Sequence, residues 1–327
     1  MTTHRERLED CLALRSLDRP PVALWRHFPV DDQTAQGLAE AQLAFQRNYD
    51  FDLVKVTPAS SFCLRDWGVK DAWRGSTEGT REFTQRAIDD PDDWTRLPTL
   101  DPTAGSLGKQ LESLRLITEE LGQATPVIQT IFNPLSQAKN LVGGQELLVH
   151  LRRYPRQVHS ALQTITESTI RFIEAAKGTG IAGIFYALQH AQYGLLSREE
   201  YLDFGRRYDL QILEATRGLW LNMLHLHGLD IMFDLVRDYP VQILNWHDRE
   251  TEPDLRQGQQ ISNSVACGGL GIDDLVFGSP EEIHQQAQEA METTNGRRFI
   301  LGTGCVVPII APHGNLMAAR KSVEMYQ

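Results

Sequence analysis

The sequence LWLNMLHLHG at residues 219–228 decides how the rest of the chain is interpreted. It lies in a mostly apolar run that is typical of a buried β-strand. Side chains alternate between the two faces of a strand, so His225 and His227 point to one face while Leu224 and Leu226 point to the other. Burying an imidazole without a partner costs roughly a few kcal/mol, so these two rings need partners. In one interpretation, backbone or carboxylate groups of the core form hydrogen bonds with the two rings. In the other, both rings bind a metal ion whose third ligand comes from elsewhere in the chain.

Eight short apolar segments, this one included, are predicted to be strands, and helices separate most of them. The predicted strands are residues 22–25, 53–57, 126–132, 183–187, 220–227, 241–246, 264–267 and 299–302. Alternating strands and helices favour parallel pairing, and eight such units predict an α/β fold of the (β/α)8 TIM-barrel type. The alternative is an open doubly wound sheet with a glycine-rich phosphate loop after its first strand. The sequence there, WRHFP at 25–29, contains no glycine, which disfavours that alternative.

The chain is predicted to be a single domain, residues 1–327, with an insertion at 59–105 after the second strand. The insertion is rich in Trp, Gly, Asp and Pro, and a hairpin is expected around residues 75–79. A connection this long in a compact domain usually has a function or forms a small subdomain. The predicted helices are residues 4–17, 32–48, 106–122, 134–150, 155–177, 197–217, 229–238, 252–258, 280–293 and one from 314.

The charge composition indicates which classes of partner the protein can bind. The chain has 43 acidic and 32 basic residues and a formal net charge of −11, which disfavours nucleic acid and anionic membranes. Small molecules or another protein are the expected partners. The N-terminus lacks the apolar stretch of a signal peptide and no run is long enough to span a bilayer, so a cytoplasmic location is expected. The four cysteines form no CxxC pair, so a cysteine with a special role is expected to be a ligand or a nucleophile.

Active sites of (β/α)8 barrels lie at the carboxyl ends of the strands, and this filter selects metal-competent residues there. Zinc favours imidazole and thiolate ligands, and a catalytic site keeps one position open. The predicted ligands are His225, His227 and Cys305, with Cys267 or His247 as a substitute for one of them. Cys305 follows Gly302 and Gly304, which let backbone and sulfur approach a ligand closely.

Three residues at the same strand ends are predicted to contact substrate. Arg26 follows the first predicted strand and is expected to bind an anion, because a guanidinium pairs with carboxylates through two hydrogen bonds. Tyr186 and His247, at the ends of two further strands, are candidates for binding and protonating the substrate. A tyrosine that only packs and a histidine that only fills the core are the plain alternatives.

Several stretches across nearly the whole chain resemble the uroporphyrinogen decarboxylase superfamily, which includes the methylcobalamin:coenzyme M methyltransferases. The stretches concerned are residues 5–14, 18–22, 132–144, 196–201, 278–283 and 302–316. The resemblance implies a (β/α)8 barrel, in agreement with the strand count, and a homodimer is compatible with it. The methyltransferase branch has a zinc motif of His-x-Cys followed much later by Cys. Here the corresponding residues are His225, His227 and Cys305, so the second position is a histidine and the site contains fewer thiolates.

The resemblance implies a zinc-dependent methyltransferase-like enzyme that activates a small nucleophile, expected to be a thiol. The methyl donor would be a corrinoid such as methylcobalamin, carried by a partner protein. The decarboxylase branch fits less well, because only Arg26 matches its Arg-Gln-Ala-Gly-Arg-Tyr signature. Its substrate-binding Asp is missing from the sequence VTPAS at 56–60. Two alternative hypotheses remain: a metal-independent decarboxylase of a carboxylated substrate, and a non-catalytic barrel that binds a tetrapyrrole or corrinoid.

Overall fold

The structure is a computed structural model that describes residues 2–326. The strands within those residues are β1 (Val54–Val56), β2 (Lys70–Ala72), β3 (Glu82–Gln85), β4 (Val127–Phe132), β5 (Gly183–Leu188), β6 (Met223–Leu226), β7 (Ile243–Trp246), β8 (Val265–Leu270) and β9 (Phe299–Thr303). Seven of them form one curled parallel sheet in the order β1-β4-β5-β6-β7-β8-β9. This is an α/β fold with the strand sequence that the apolar segments predicted.

Helices follow most of these strands. In the described part of the chain they are α1 (His4–Leu12), α2 (Ala35–Tyr49), α3 (Gly105–Leu121), α4 (Pro134–Val142), α5 (Gly144–Arg153), α6 (Pro155–Lys177), α7 (Arg198–Tyr201), α8 (Arg207–Ala215), α9 (Phe233–Val236), α10 (Leu255–Ile261), α11 (Asp274–Phe277), α12 (Pro280–Thr294) and α13 (His313–Ser322). Shorter 3₁₀ segments lie at Asp31–Gln33, Arg65–Trp67 and Pro91–Arg96, and a π-helical turn at Leu202–Arg206 joins α7 to α8. No helix in the described residues is long and apolar enough to cross a membrane.

The sheet is buried on both faces, as expected for parallel strands flanked by helices. Every residue of β4, β5 and β6 is buried. Helices supply the outer cover through apolar stripes, for example Val158, Leu162 and Ile165 along α6. Strand register places His225 of β6 beside Ala187 of β5 and Asn245 of β7.

The first predicted strand, residues 22–25, is reduced to a single parallel bridge between Val22 and Leu301 of β9. The preceding residues, Pro20 and Pro21, have no N–H to donate, which limits the ladder at this point. The segment still contacts both edges of the sheet. Its Ala23 N–H donates to the Leu301 carbonyl, and its Val22 carbonyl accepts from the N–H of Asp52, just before β1.

Residues 59–104 leave the sheet after β1 and return at α3. They contain two 3₁₀ segments and the antiparallel pair β2–β3, so the hairpin expected around residues 75–79 is confirmed. Its connecting loop folds back over the carboxyl ends of the strands, where the Ile309 N–H donates to the Thr77 carbonyl at 2.7 Å. Residues 59–104 therefore cover part of the sheet at the carboxyl ends of its strands.

Some predicted helix boundaries were wrong. The helix predicted over 134–150 is two helices, because Gly143 has a φ of 120° that an α-helix cannot contain. The helix predicted over 4–17 ends at Leu12, since Leu14 adopts a left-handed φ of 58°. The helix predicted over 229–238 is the single turn α9.

A buried carboxylate, Asp52, binds several residues of the first part of the chain. Asp52 is fully buried and accepts hydrogen bonds from His4 at 2.9 Å, Arg7 at 2.6 Å, Arg19 at 2.7 Å and the Val22 N–H at 2.8 Å. Burial acts to raise the pKa of this carboxyl, but the hydrogen bonds and positive charges outweigh burial and hold its pKa well below the usual range. The negative charge of Asp52 is paired with the guanidinium groups of Arg7 and Arg19, so this cluster stabilises the fold.

Candidate metal centre

Four side chains with metal-binding atoms converge at the carboxyl ends of the strands: His225, His227, His247 and Cys305. One ligand atom from each lies within 4.8 Å of the others. The Cys305 Sγ is 3.8 Å from His225 Nε2 and 3.7 Å from His227 Nδ1. We call this group the His/Cys cluster.

Local backbone structure explains the convergence. His225 lies in β6 and His227 just after it, so strand alternation sends both rings to the same side. His247 follows β7 directly, and Cys305 is in the turn after β9. That turn passes close to His247, since a Cβ on Gly304 would lie 2.7 Å from the His247 Cα. Glycine at 304 is therefore needed to bring Cys305 to the three imidazoles.

Asn245 fixes the orientation of the most buried ring. Its side-chain N–H groups donate to the carbonyls of Cys267 and Thr303 at 3.0 and 2.9 Å, which leaves the Oδ1 free to accept. His225 Nδ1 lies 2.7 Å from that oxygen and therefore holds the proton. Its Nε2 is then an unprotonated lone pair that faces Cys305. Metal-binding histidines are commonly oriented by such a partner on the other ring nitrogen.

The electrostatics of the His/Cys cluster favour ligands that are neutral before a metal binds. Burial, with the neighbouring imidazoles, lowers the pKa of His225 well below its usual value, and burial lowers the pKa of His227 to about 4. Burial raises the pKa of the Cys305 thiol to about 11, against the opposing charge of Lys55. The imidazole lone pairs are thus available at neutral pH, whereas the thiol must lose a proton on binding a metal.

His247 provides an observation that points to a missing ligand. Its Nδ1 lies 3.1 Å from Glu250 Oε2, while its buried Nε2 has no hydrogen-bond partner among residues 2–326. A buried polar atom without a partner is costly, and a metal ion among these four side chains would satisfy it. Three imidazoles and one thiolate are donors that zinc accepts, so the residues present fit that ion.

Cys267, predicted as a substitute ligand, is not part of the His/Cys cluster. It is fully buried in β8, and burial raises the pKa of its thiol well above the usual value. A thiol in such surroundings behaves as a small apolar side chain. Of the two predicted substitutes, the structure brings His247 to the cluster.

Tyr186 lies on the other face of the sheet from the His/Cys cluster, contrary to its predicted contact with substrate. Its neighbour Phe185 stacks on His225, with ring centroids 5.1 Å apart, so the alternation of β5 directs Tyr186 away. Its hydroxyl donates to Asp209 at 2.7 Å in a fully buried network. The role of this tyrosine is packing and hydrogen bonding in the core.

Arg26 follows the first predicted strand directly and is half-buried. Its guanidinium packs over Phe28 and Phe45 at 5.1 and 5.5 Å and donates to the Ile309 carbonyl at 3.3 Å. No carboxylate in residues 2–326 lies within 4.0 Å of it, and its buried Nε has no partner there. Burial lowers its pKa. It remains a candidate for binding an anionic group.

Sequence reasoning missed three residues at this site: Asn245, Lys55 and Lys139. A signal existed for Lys55, because a lysine inside the buried strand VKV at 54–56 is rare without a reason. Asn245, two residues before His247, has the same kind of signal. Lys139 lies on a helix, where lysine is common, and nothing in the sequence distinguished it.

Comparisons with known proteins cover nearly the whole chain. The family model described as uroporphyrinogen decarboxylase (URO-D) matches residues 3–326. The methylcobamide:CoM methyltransferase MtbA of Methanosarcina acetivorans is 21% identical over 352 residues, which covers 99% of this chain and 98% of that protein. A uroporphyrinogen decarboxylase of Shewanella piezotolerans is 25% identical over 246 residues, 67% of this chain and 65% of its own length. A solved methyltransferase from Methanosarcina mazei superposes with a TM-score of 0.85 at 18% identity, covering 98% of this chain and 99% of its own, which shows the fold.

Proposed function

This chain belongs to the uroporphyrinogen decarboxylase (URO-D) family, and from that premise we propose that it is a zinc-dependent, methyltransferase-like enzyme. It activates a small nucleophile, a thiol, for methyl transfer from a corrinoid or another methyl donor. The observation that supports this proposal most is the convergence of His225, His227 and Cys305, with the unpartnered Nε2 of His247 beside them.

The residues that would hold zinc are His225, His227 and Cys305, and His247 is a further ligand within reach. The ion, when bound, supplies a positive charge that lowers the pKa of a coordinated thiol. Asn245 keeps the proton of His225 on Nδ1, so that Nε2 is presented as a ligand. Glu250 does the same for the Nδ1 of His247.

Other residues would bind and shield the substrate. The half-buried guanidinium of Arg26 holds an anionic end of the substrate at the rim, since no carboxylate of the described chain occupies it. Phe185 and Trp25 pack edge to face at 5.3 Å beside His225 and exclude water from the bottom of the site. The loop of the β2–β3 hairpin covers one side of the opening, where Thr77 bonds with Ile309.

The partners proposed are a small-molecule substrate and a corrinoid protein that supplies the methyl group. The Methanosarcina acetivorans relative, which spans nearly the whole chain, is named for methylcobamide, which supports a corrinoid donor. Exposed apolar side chains also lie on five loops or short elements that follow strands around the opening, where a protein could dock. These side chains are Val30, Tyr193, Leu229, Phe277 and Ile310.

The finer description of the fold belongs to the same proposal. We count the segment 22–25 as an eighth strand, because it hydrogen bonds with β9 and with Asp52 before β1. The sheet is then a closed (β/α)8 barrel in a single domain, and residues 59–105 are an insertion after its second strand. A cytoplasmic location and a homodimer complete the proposal.

A metal-independent decarboxylase is the second candidate, and the decarboxylase relatives favour it. It would use Arg26 to bind a carboxylate and His247 to protonate the product. Tyr186, which the sequence suggested for this reaction, has its hydroxyl bonded to Asp209. This candidate gives no purpose to the convergence of His225, His227 and Cys305 beside His247, which is why it ranks second.

The test is the metal content and activity of the pure protein. We expect one zinc per chain. We also expect methyl transfer from methylcobalamin to 2-mercaptoethanol or 3-mercaptopropionate, which is measured as the loss of the cobalt–carbon absorption. A chelator should abolish this transfer. A correctly folded protein that binds no zinc, and whose activity on carboxylated substrates survives chelation, would falsify the methyltransferase proposal in favour of the decarboxylase.

A further inference from the structure

Lys55 has a buried side-chain amino group without a carboxylate partner. It lies in β1 and is 4% exposed. Its Nζ donates to Thr57 Oγ1 at 3.2 Å and lies 4.5 Å from the centroid of the Phe185 ring. No carboxylate of the described chain lies within 4.0 Å of it. An ammonium can donate three hydrogen bonds, and here one hydroxyl and the face of an aromatic ring are its partners.

Lys139 in α4 is a second cation of the same kind. It is half-buried, and its Nζ donates to the Gln189 side-chain oxygen at 3.0 Å. Within residues 2–326 it too has no carboxylate at ion-pair distance. Burial, together with the charge of Arg86, lowers its pKa.

The two lysines lie near the carboxyl end of β5 but on different elements. Lys55 of β1 contacts the ring of Phe185, which stacks on His225, whereas Lys139 of α4 donates to Gln189 just after β5. The acidic residues that influence Cys305, Glu78 and Glu250, are both exposed.

Apart from Arg26, whose guanidinium also lacks a carboxylate partner, other cations of the interior are paired. The buried guanidinium groups of Arg7 and Arg19 are both paired with Asp52, and that of Arg81 is paired with Asp71. The chain has a net charge of −11, so acidic side chains are plentiful. Two cations left without any of them beside a candidate centre indicate that a ligand provides the missing charges.

We propose that the site takes a small dianionic substrate, and that Lys55 and Lys139, in place of Arg26, each hold one of its negatively charged groups. This inference rests on the proposed function, because the substrate is the nucleophile of the same site. Burial lowers the pKa of Lys55 to about 7, so a bound carboxylate would also complete its protonation at neutral pH. A thiol with two carboxylates, such as mercaptosuccinate, has the required chemistry.

The first test measures binding of simple acids to the metal-free protein by calorimetry, at constant ionic strength because salt screens charge. Wild-type protein should bind succinate at least ~10-fold more tightly than propionate, since the second carboxylate gains a charge-assisted hydrogen bond. Lys55→Met and Lys139→Met should each remove that preference. The matched control is Lys321→Met, which removes an exposed lysine of α13 and should leave it unchanged.

Equal affinity of the wild-type protein for succinate and propionate overturns the proposal, and this comparison does not depend on any variant folding. Unchanged succinate binding in both folded variants also overturns it. Lys55→Gln and Lys139→Gln replace a methionine variant that fails to fold.

A second measurement separates this inference from the proposed function. The protein is loaded with Co²⁺ and titrated with mercaptosuccinate, 3-mercaptopropionate and 2-mercaptoethanol, while the sulfur-to-cobalt absorption is recorded. The expected affinity falls in that order, and the two methionine variants should bind mercaptosuccinate no better than 3-mercaptopropionate. If all three thiols bind equally well, the dianion proposal fails while the function stands. If succinate binds selectively and cobalt does not bind, the function fails and the anion site stands.

Discussion

Two buried polar clusters lie on opposite faces of the same sheet, and Phe185 and Tyr186 of β5 each contact one of them. Tyr186 contacts the Asp209 network, in which one carboxylate accepts four hydrogen bonds. The donors are the hydroxyls of Tyr186, Tyr201 and Tyr239 at 2.7, 2.7 and 2.9 Å, and the side-chain N–H of Asn133 at 3.0 Å. On the other face, the His/Cys cluster brings together three imidazoles and one thiol, whose single proton cannot satisfy all of the converging lone pairs.

The difference distinguishes a structural cluster from a functional one. In the Asp209 network every donor has its acceptor, so nothing is left for a ligand to bind. In the His/Cys cluster the second nitrogens of His225 and His247 are held by Asn245 and Glu250, and the first ones converge on a common point. Both clusters consist of polar side chains that are buried or half-buried, and the balance of donors and acceptors separates them.

The largest expected effect is the loss of metal on removing a ligand. His225→Ala and Cys305→Ala should each lower zinc affinity by more than the roughly 100-fold that is typical of losing an outer-shell partner. Both variants should stay folded, because neither leaves a charge unpaired. Equilibrium dialysis with elemental analysis measures the metal, and circular dichroism checks the fold. Cys267→Ala is the matched control: it removes a buried thiol outside the cluster and should keep full zinc. A Cys305→Ala protein with wild-type zinc affinity would show that Cys305 is not a ligand of the ion.

A substitution in the Asp209 network should lower stability and leave zinc binding unchanged. Asp209→Ala leaves three hydroxyls and one amide without an acceptor in the core, so we expect a loss of roughly 3–5 kcal/mol of stability. Folded protein should retain its zinc. The midpoint of urea unfolding and the zinc content measure the two effects, with Tyr186→Phe as a milder variant that removes one of the four donors. Loss of zinc from folded Asp209→Ala would show that the two faces are not independent.

Asn245 tests whether orientation of the ring matters for metal binding. Asn245→Ala frees His225 to change tautomer, so zinc affinity should fall about 10- to 100-fold. Asn222→Ala is the control, because Asn222 is also buried and hydrogen bonded near the start of β6 but lies away from the cluster. Dialysis against a chelating buffer gives both affinities. If the two variants lose affinity equally, the effect comes from general disturbance of the sheet.

The smallest expected effect is a loss of stability at low pH, when Asp52 becomes protonated. Its carboxyl pKa is held below the usual value, so its contribution to stability is complete above about pH 4 and is lost as the pH falls further. The loss should be about 2 kcal/mol. Urea midpoints of the wild-type protein and Asp52→Asn at pH 7, 5 and 3 should differ less at pH 3 than at pH 7. A difference that stays constant over this range would contradict the assignment of Asp52 as a charged, paired group.

The strands could be predicted because each is a short apolar segment, and seven of the eight predicted segments are strands of one parallel sheet. The eighth, residues 22–25, is a single bridge because the prolines before it donate no hydrogen bonds. Helix lengths were predicted less well where one backbone angle decides the boundary, as at Gly143 and Leu14. The apolar pattern contains no information about such angles.

The candidate site could be predicted where alternation and spacing give the answer. His225 and His227 share a face, and Cys305 lies in a glycine-flanked turn. For Tyr186 the pattern fails, because every residue of β5 is buried and nothing in GIFYAL at 183–188 tells one face from the other. The choice between Cys267 and His247 depended on the path of a turn around Gly304, which the sequence does not reveal.

The bridge between Val22 and Leu301 also has a consequence for folding order. The first segment of the chain finds its partner strand near the other end, after α1 to α12 have been synthesised. Contacts so distant in sequence form late and slowly. The edge that β1 offers to residues 22–25 and the edge of β9 are therefore joined when nearly the whole chain is available. Cys305 comes from the same late region, so the proposed metal centre can form only after residue 305 has been synthesised.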